Sequence, residues 1–520
     1  MNKLLSIKNL KKYFPLPKAK LFQKEQLYVR ANEEITIDIL KGETFGLVGE
    51  SGCGKSTLGR VLLQLYEQTA GSSMYYGRTL DSLAPKYVAD TLRHAPKYIA
   101  TLNKARAKAE QLTAKCDELG DNATFFDIQE KNLAIADAKT ALDNVAKILG
   151  GFTVCDTSAG AAHLLERFGY AVSVADLHDK LSDCRLELEV LENEKDAQSK
   201  IAAENKKIAK LEANLSAVVN KMTAVDVKIA ELKAKHKDNE QFAEYEAMLD
   251  DGVDLARLSK DELRLLRKDL QIIFQDPYSS LNPRMTVGQI IEEGLVTHKF
   301  FKPGSPKMKE YVFEVMESCG LQPYMYNRYP HQFSGGQRQR ICIARSLAVK
   351  PKFVVCDECV SALDVSIQSQ IINLLQDLKE KEKLTHLFIS HNLSVVRYIS
   401  DRIGVMYLGN MVEVADTDTL FKDPRHPYTI ALLSSIPTTD PDSLSKERII
   451  LEGNIPSPIR PPSGCKFHTR CYMACDKCKR VPPPLVEVDP GHFVACHFTE
   501  KKMDENGNYL FDVQTAAHKE

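Results

Sequence analysis

Apolar positions follow three patterns along this chain, and each predicts a different element. The first is a short, unbroken apolar run: TFGLV at 44–48, FVVCDE at 353–358 and LFISHNLSVV at 387–396. A strand buried on both faces of a parallel sheet reads this way, so these runs predict core strands, two of them ending in polar groups (Asp357 and Glu358; Ser390 and His391). The second is the amphipathic helix, in LGRVLLQLY after residue 57 and in ICIARSLAV from Ile341. The third is a long stripe with alternating spacings of three and four. Ile208, Leu211, Leu215, Val218, Met222, Val225, Ile229 and Leu232 carry it, as do Ile128, Ile135, Ala138, Leu142, Val145 and Leu149, and a weaker stripe runs from Ile99 to Leu119. Such stripes predict helices that pair along apolar seams. The segment starting at Gly150 (GGFTVCDTSAGAAHLLERFGYAVSVADLHDKL) lies between them and reads as a small cap. No apolar run reaches ~18 residues, the length that crosses a bilayer as a helix.

Composition narrows the picture little. The 520 residues can bury a large core and form several domains. Lys+Arg 69 against Asp+Glu 70 leaves a net charge of −1, so no overall field favours nucleic acid or an acidic membrane surface. MNKLLSIKNLKKYF lacks the long apolar core of an export signal. Thirteen cysteines in a chain of this length point to reduced thiols and a metal site rather than a disulfide framework.

The chemistry begins at GESGCGKST, residues 49–57, between the first predicted strand and its helix. Glycines let successive backbone N–H groups turn inward around phosphate oxygens, and the next helix presents its positive end to the same anion. Lys55 would reach the β- and γ-phosphates, and the Ser56 hydroxyl would hold Mg²⁺. Asp357 would bind Mg²⁺ through water and Glu358 would polarise the attacking water. FSGGQRQR at 333–340 supplies a second backbone nest before a helix, and SALD comes after it at 361–364.

In this order, with IIFQDP at 272–277, the motifs resemble those of ABC transporter ATPases over residues 1–80 and 253–500. The resemblance implies an α/β P-loop fold of ABC type: a RecA-like core, an antiparallel β lobe and a helical subdomain. It implies a head-to-tail dimer with two ATP molecules at its interface. Gly49, Glu50, Ser51, Gly52, Cys53, Gly54, Lys55, Ser56 and Thr57 would bind the phosphates and Mg²⁺. Gln275 would sense Mg²⁺ and the attacking water. Ser334, Gly335, Gly336 and Gln337 would cap the ATP held by the opposite subunit, Glu358 would be the catalytic base, Asp364 would cross the interface and His391 would grip the γ-phosphate. Tyr13 matches the aromatic that stacks on adenine, with Tyr28 as an alternative beyond a long loop.

FQDPYSSLNPRMTVGQII at 274–291 and DPRHPYTIALLSSIP at 423–437 are similar to segments of oligopeptide and dipeptide importer ATPases, and Gln337 to the F-type of their two paired subunits. This implies a heterodimer with a second ATPase, two permease subunits, a substrate-binding protein and a place on the cytoplasmic face of the membrane. A related importer of another solute such as nickel is an alternative. The chain departs from the family with Cys359 in place of Pro and Asn392 in place of Asp. Neither is a direct nucleotide contact, so tuned rather than lost activity is expected.

Cys465, Cys471, Cys478 and Cys496 are separated by five, six and seventeen residues in a His- and Pro-rich segment. Clustered thiolates of this kind usually bind metal. The resemblance supports a [4Fe–4S] cluster; Zn²⁺ with His468 or His497, and plain reduced thiols, are the other readings. Cys475 is an extra thiol. The Cys356–Cys359 spacing reads as accidental.

The expected organisation is therefore 1–80 as the first part of the ATPase, 81–252 as an inserted antiparallel coiled-coil stalk, 253–420 as the second part, 421–500 as a peptide-importer-type segment with the cysteine cluster, and 501–520 as a tail. Repair and chromosome-organising ATPases also carry coiled coils, so a nucleic-acid machine is a rival reading. Against it, the insertion precedes Gln275 and its apex lacks a C-x-x-C hook. A binding-only module with a dead site is a third, opposed by the presence of Lys55, Glu358 and His391.

Overall fold

The computed structural model describes residues 2–18, 26–192, 198–436 and 449–498. The chain divides into two compact units, Met1–Thr69 with Leu263–Glu520, and Ala70–Glu262. The expected tail, and Pro437 at the end of the HPYT segment, lie outside the described residues.

The first unit is built on an eight-stranded sheet. Its centre is parallel: Leu270–Ile273, Phe353–Asp357, Thr385–Ile389, Thr44–Val48 and Arg402–Tyr407 lie side by side in that order. Every residue of Thr44–Val48, Phe353–Asp357 and Thr385–Ile389 is buried, which is why TFGLV, FVVC and LFI read as apolar runs; the third run stops being strand at Ile389, and its residues from Leu393 begin the helix Leu393–Ile399. Asn410–Asp416, His492–Val494 and Val486–Asp489 extend one edge in antiparallel fashion. Strand register sets where the loops meet. Leu47 and Asp357 both pair with Ile389, so three strands end at one level, and the loops after Val48, Asp357 and Ile389 converge there. A hairpin of Lys3–Pro15 and Tyr28–Leu40 belongs to the same unit. The helices Val287–Thr297, Pro306–Ser318 and Gly335–Leu347 pack their apolar faces into the unit's core.

One buried side chain on the sheet carries a pH signature. His386 is 1% exposed, neither ring nitrogen has a partner, and burial pushes its pKa down to about 4. The unfolded imidazole titrates near ~6.5. Between these values the folded chain binds fewer protons than the unfolded one. The neutral ring's contribution is therefore complete above the upper value and is lost as pH falls toward the lower. The shift corresponds to roughly 3 kcal/mol at most. Denaturant titrations of wild type and His386→Leu at both ends of this window should show a smaller loss of stability in the variant; equal losses would contradict this.

In the second unit, the strand Ala70–Tyr75 pairs antiparallel with Val253–Asp254 (Met74 opposite Asp254, Tyr75 opposite Val253). The helical segment thus leaves and returns on neighbouring strands. These two strands, expected with the ATPase part, group with the helices they enclose. Four long helices fill the interval: Ala95–Leu119, Phe125–Leu149, Thr157–Glu192 and Gln198–Ala234. The last has 37 residues, a length of about 55 Å at 1.5 Å per residue. The last two run antiparallel, as the ion pairs Arg167–Asp226 at 2.7 Å and Arg185–Glu212 at 2.9 Å require. Val225 and Ile229 of the predicted stripe are buried, and the rest of that stripe is half-buried. The segment after Gly150 is not a small cap. A single 3₁₀ turn, Gly150–Thr153, precedes a continuous 36-residue helix from Thr157. Its Ala-rich start obscures the helical period, and neighbouring helices supply the packing that local pattern did not reveal.

Candidate active site

The phosphate loop leaves Val48 and enters the helix Lys55–Leu62. Gly54 caps that helix with φ 102°, and a Cβ there would stand 2.0 Å from the Ala31 carbonyl oxygen. Gly49, at φ 146°, lies similarly close to the backbone of Met406. Only glycine fits either position. Lys55 is 5% exposed and its Nζ donates to the carbonyls of Gly49 at 2.7 Å and Glu50 at 3.1 Å. The ammonium is thus folded back over the loop that a phosphate would occupy.

Ser56 Oγ donates to Asp357 Oδ1 at 2.5 Å, and Arg60 approaches Asp357 Oδ2 at 3.4 Å. Asp357 is 2% exposed, whereas Glu358 turns outward at φ 50° with its backbone N–H on Ile389. The Glu358 carboxylate receives Gln275 Nε2 at 3.0 Å and stands 3.5 Å from His391 Nδ1. Lys55, Ser56 and Asp357 thus line one end of the site, and Gln275, Glu358 and His391 form a second cluster. Asn392 caps the helix Leu393–Ile399, accepting from the N–H groups of Ser394 and Val395 as Asp would. Cys359 is buried, and its hydrogen bond to Cys356, together with burial, holds the Cys356 thiol well above its usual range.

Ser334 caps the helix Gly335–Leu347 in a reciprocal pair with Gln337 and is exposed. Asp364 is exposed and caps Val365–Glu382 by accepting from Ile367 N–H. Tyr13 departs from expectation. It is 4% exposed, its hydroxyl donates to Glu33 at 2.5 Å, and Arg30 lies 5.6 Å from its ring centroid. Lys11, paired with Glu33 at 2.6 Å, completes this buried group. A ring so enclosed has no free face for a base. Tyr28, whose ring centroid lies 6.0 Å from that of Tyr13, is half-buried.

A family model described as ABC transporter matches residues 32–250 and 240–361. The chain belongs to the ABC transporter ATPases. A second model, oligopeptide/dipeptide transporter, C-terminal region, matches residues 412–478. Among related proteins, the oligopeptide transport ATP-binding protein AppF of Bacillus subtilis (strain 168) is 53% identical over 248 residues, 47% of this chain and 75% of AppF. YkfD of the same organism, provisionally named an oligopeptide transport ATP-binding protein, is 54% identical over 247 residues, with the same coverage. A provisionally named peptide import ATP-binding protein of Brucella ovis is 54% identical over 246 residues, 47% of this chain and 77% of its own.

The C-terminal region of this ABC ATPase is anchored by a buried carboxylate. Glu413 is 0% exposed and accepts from the backbone N–H groups of Arg425 and His426 and from His492 Nε2. His426 Nδ1 accepts from Tyr428 N–H, and burial lowers its pKa to about 4, which keeps the ring neutral for that role. Tyr407, Tyr428 and Phe467 pack ring against ring, with centroids 4.8–5.3 Å apart. Through Phe467 the cysteine-bearing loop is docked on the sheet.

All thirteen cysteines are free thiols. Cys465, Cys471, Cys478 and Cys496 are gathered closely enough to influence one another's charge; burial raises Cys471 to about 12 and Cys496 to about 11. The expected metal set does not close, however. Among the described residues, no group of three or more His, Cys, Asp or Glu side chains stands close enough to hold a metal ion. His468 and His497, the zinc alternatives, are each engaged with a backbone carbonyl, Cys465 at 2.8 Å and Val481 at 2.8 Å. Cys478 instead faces the extra thiol Cys475 at 3.6 Å. The [4Fe–4S] and Zn²⁺ expectations are thus not met by this arrangement.

Two contacts had no sequence signal. Arg60 lies in the helix after the phosphate loop but belongs to no motif, and Arg470 sits among the cysteines yet pairs with Glu50, 420 residues away.

Proposed function

We propose that this chain is the ATP-hydrolysing subunit of an oligopeptide or dipeptide importer. The observation that carries the reading is the meeting of Ser56 with Asp357 and of Gln275 with Glu358 and His391 at one sheet edge, in a chain whose C-terminal region matches the peptide-transporter model. The donor set fits Mg²⁺: Ser56 and Asp357 are hard oxygen ligands already adjacent, and the remaining positions suit water and phosphate oxygens. Mg²⁺ with ATP would supply charge neutralisation on the transferred phosphoryl group.

In this reading Gly49–Thr57 wrap the phosphates and Lys55 moves from the loop carbonyls to the β- and γ-phosphates. Gln275 orients water toward Glu358, which accepts its proton, and His391 holds the γ-phosphate. Tyr28, rather than Tyr13, offers its ring to the adenine. Ser334 and Asp364, exposed on one subunit, with Gly335, Gly336 and Gln337 beside Ser334, face the nucleotide of a second ATPase subunit, whose dimerisation depends on ATP binding. Two permease subunits and a substrate-binding protein complete the importer at the cytoplasmic face of the membrane. Among the described residues no helix is long and apolar enough to cross a membrane, so attachment would be through the permeases. The ATPase domain comprises 1–80 and 253–420, with 421–500 as its peptide-importer segment and 81–252 as an antiparallel helical stalk.

The repair-type and nickel-importer alternatives are not favoured by the matched relatives. Affinity purification from membranes should recover a permease pair with the chain. Failure to recover a permease, with retention on DNA at physiological salt, would contradict the proposal.

A further inference from the structure

The phosphate loop is held from outside by the C-terminal region, and the handles converge on Glu50. Arg470 grips the Glu50 carboxylate with two hydrogen bonds, Nη1 to Oε2 at 2.8 Å and Nη2 to Oε1 at 3.1 Å. The Glu50 N–H donates to the Tyr428 hydroxyl at 2.9 Å, and its carbonyl accepts from Lys55 Nζ. The Arg470 side chain is 7% exposed and the Glu50 side chain 23%. Tyr428 and Phe467, which position the two grips, belong to one aromatic cluster. A bidentate guanidinium–carboxylate pair fixes both distance and angle, which an ammonium cannot do.

We propose that Arg470 is a positioning residue for ATP binding: it neutralises Glu50 beside the triphosphate and, with Tyr428, fixes the first turn of the phosphate loop. This rests on the reading of residues 49–57 as the ATP site. The physical case is electrostatic as well as geometric. An unpaired carboxylate on the loop would repel a polyanion and would tend to capture Lys55, which already bonds the adjacent carbonyl. With Arg470 in place, the Glu50 charge is satisfied away from the phosphates and Lys55 is free to meet them. The cysteine-bearing loop, whose Arg470 directly precedes Cys471, thus forms part of the wall that shapes the nucleotide site.

The test uses the full chain in Mg-ATP titrations, with KM and kcat measured alongside. Arg470→Gln should raise KM for ATP about 10-fold and change kcat less than about 3-fold, since the contact is lost equally in the ground and transition states. Adding Glu50→Gln should restore KM to within about 3-fold of wild type, because removing both partners of a charge pair costs far less than removing one. Arg470→Lys should fall between, retaining charge without the fork. A purely structural role predicts additive losses and no rescue by the second substitution; that result, or an unchanged KM in Arg470→Gln, overturns the proposal. Should Arg470→Gln lose its cooperative thermal transition, Arg470→Lys and Glu50→Gln decide instead: wild-type KM in the Lys variant overturns it. Wild type that fails to bind Mg-ATP would instead overturn the ATP-site reading itself.

Discussion

Replacing Glu358 with Gln is expected to slow ATP hydrolysis about 10²–10⁴-fold while ATP stays bound, the range lost with a positioned general base. The geometry makes the substitution selective. Glutamine preserves the shape of the side chain, and its carbonyl can still accept from Gln275 Nε2, now 3.0 Å from the carboxylate. What it cannot do is take a proton from water. Lys55, Ser56 and Asp357, which would hold the phosphates and Mg²⁺, do not contact Glu358 in the observed hydrogen-bond network. Binding should therefore survive and chemistry should not. Single-turnover hydrolysis, with nucleotide retention after gel filtration, separates the two. A variant that turns over within about 3-fold of wild type would remove Glu358 from the role of base.

Lys55→Ala should fail in the opposite way. The Lys55 ammonium is buried and bonded to the carbonyls of Gly49 and Glu50. It is thus poised within the loop and needs only to exchange neutral acceptors for phosphate oxygens. Charge-assisted hydrogen bonds contribute roughly 1.5–3 kcal/mol each, so losing them should weaken ATP binding about 10²-fold. Calorimetric titration with Mg-ATP in the wild-type and variant chains measures this directly. Binding within about 3-fold of wild type would place the phosphates elsewhere. Together the two variants separate nucleotide capture from water activation.

The sheet and its edge were legible because their signals are local. TFGLV, FVVCD and THLFI are buried at every position, and a parallel sheet then brings their C-terminal ends together. The helices carrying regular apolar stripes were legible for the same reason. What escaped depends on distance or on packing. The helix Thr157–Glu192 has an irregular apolar pattern and an Ala-rich start, so nothing in its own text announced its length. Tyr13 has the right neighbours in sequence for an adenine platform, but Lys11, Arg30 and Glu33 enclose it through tertiary contacts. The cysteine spacing does not fix the separations of the thiols, and Cys478 stands 3.6 Å from Cys475. The Arg470–Glu50 clamp joins opposite ends of the chain, beyond the reach of any periodicity.

The decisive measurement is ATP-driven uptake of a labelled oligopeptide into vesicles bearing the complete permease complex, compared between wild type and Glu358→Gln. Accumulation should require ATP on the side of this chain and should disappear in the variant. Equal accumulation by both complexes, or ATP hydrolysis by the wild-type complex with no peptide moved, would contradict the proposed coupling of this ATPase to peptide import.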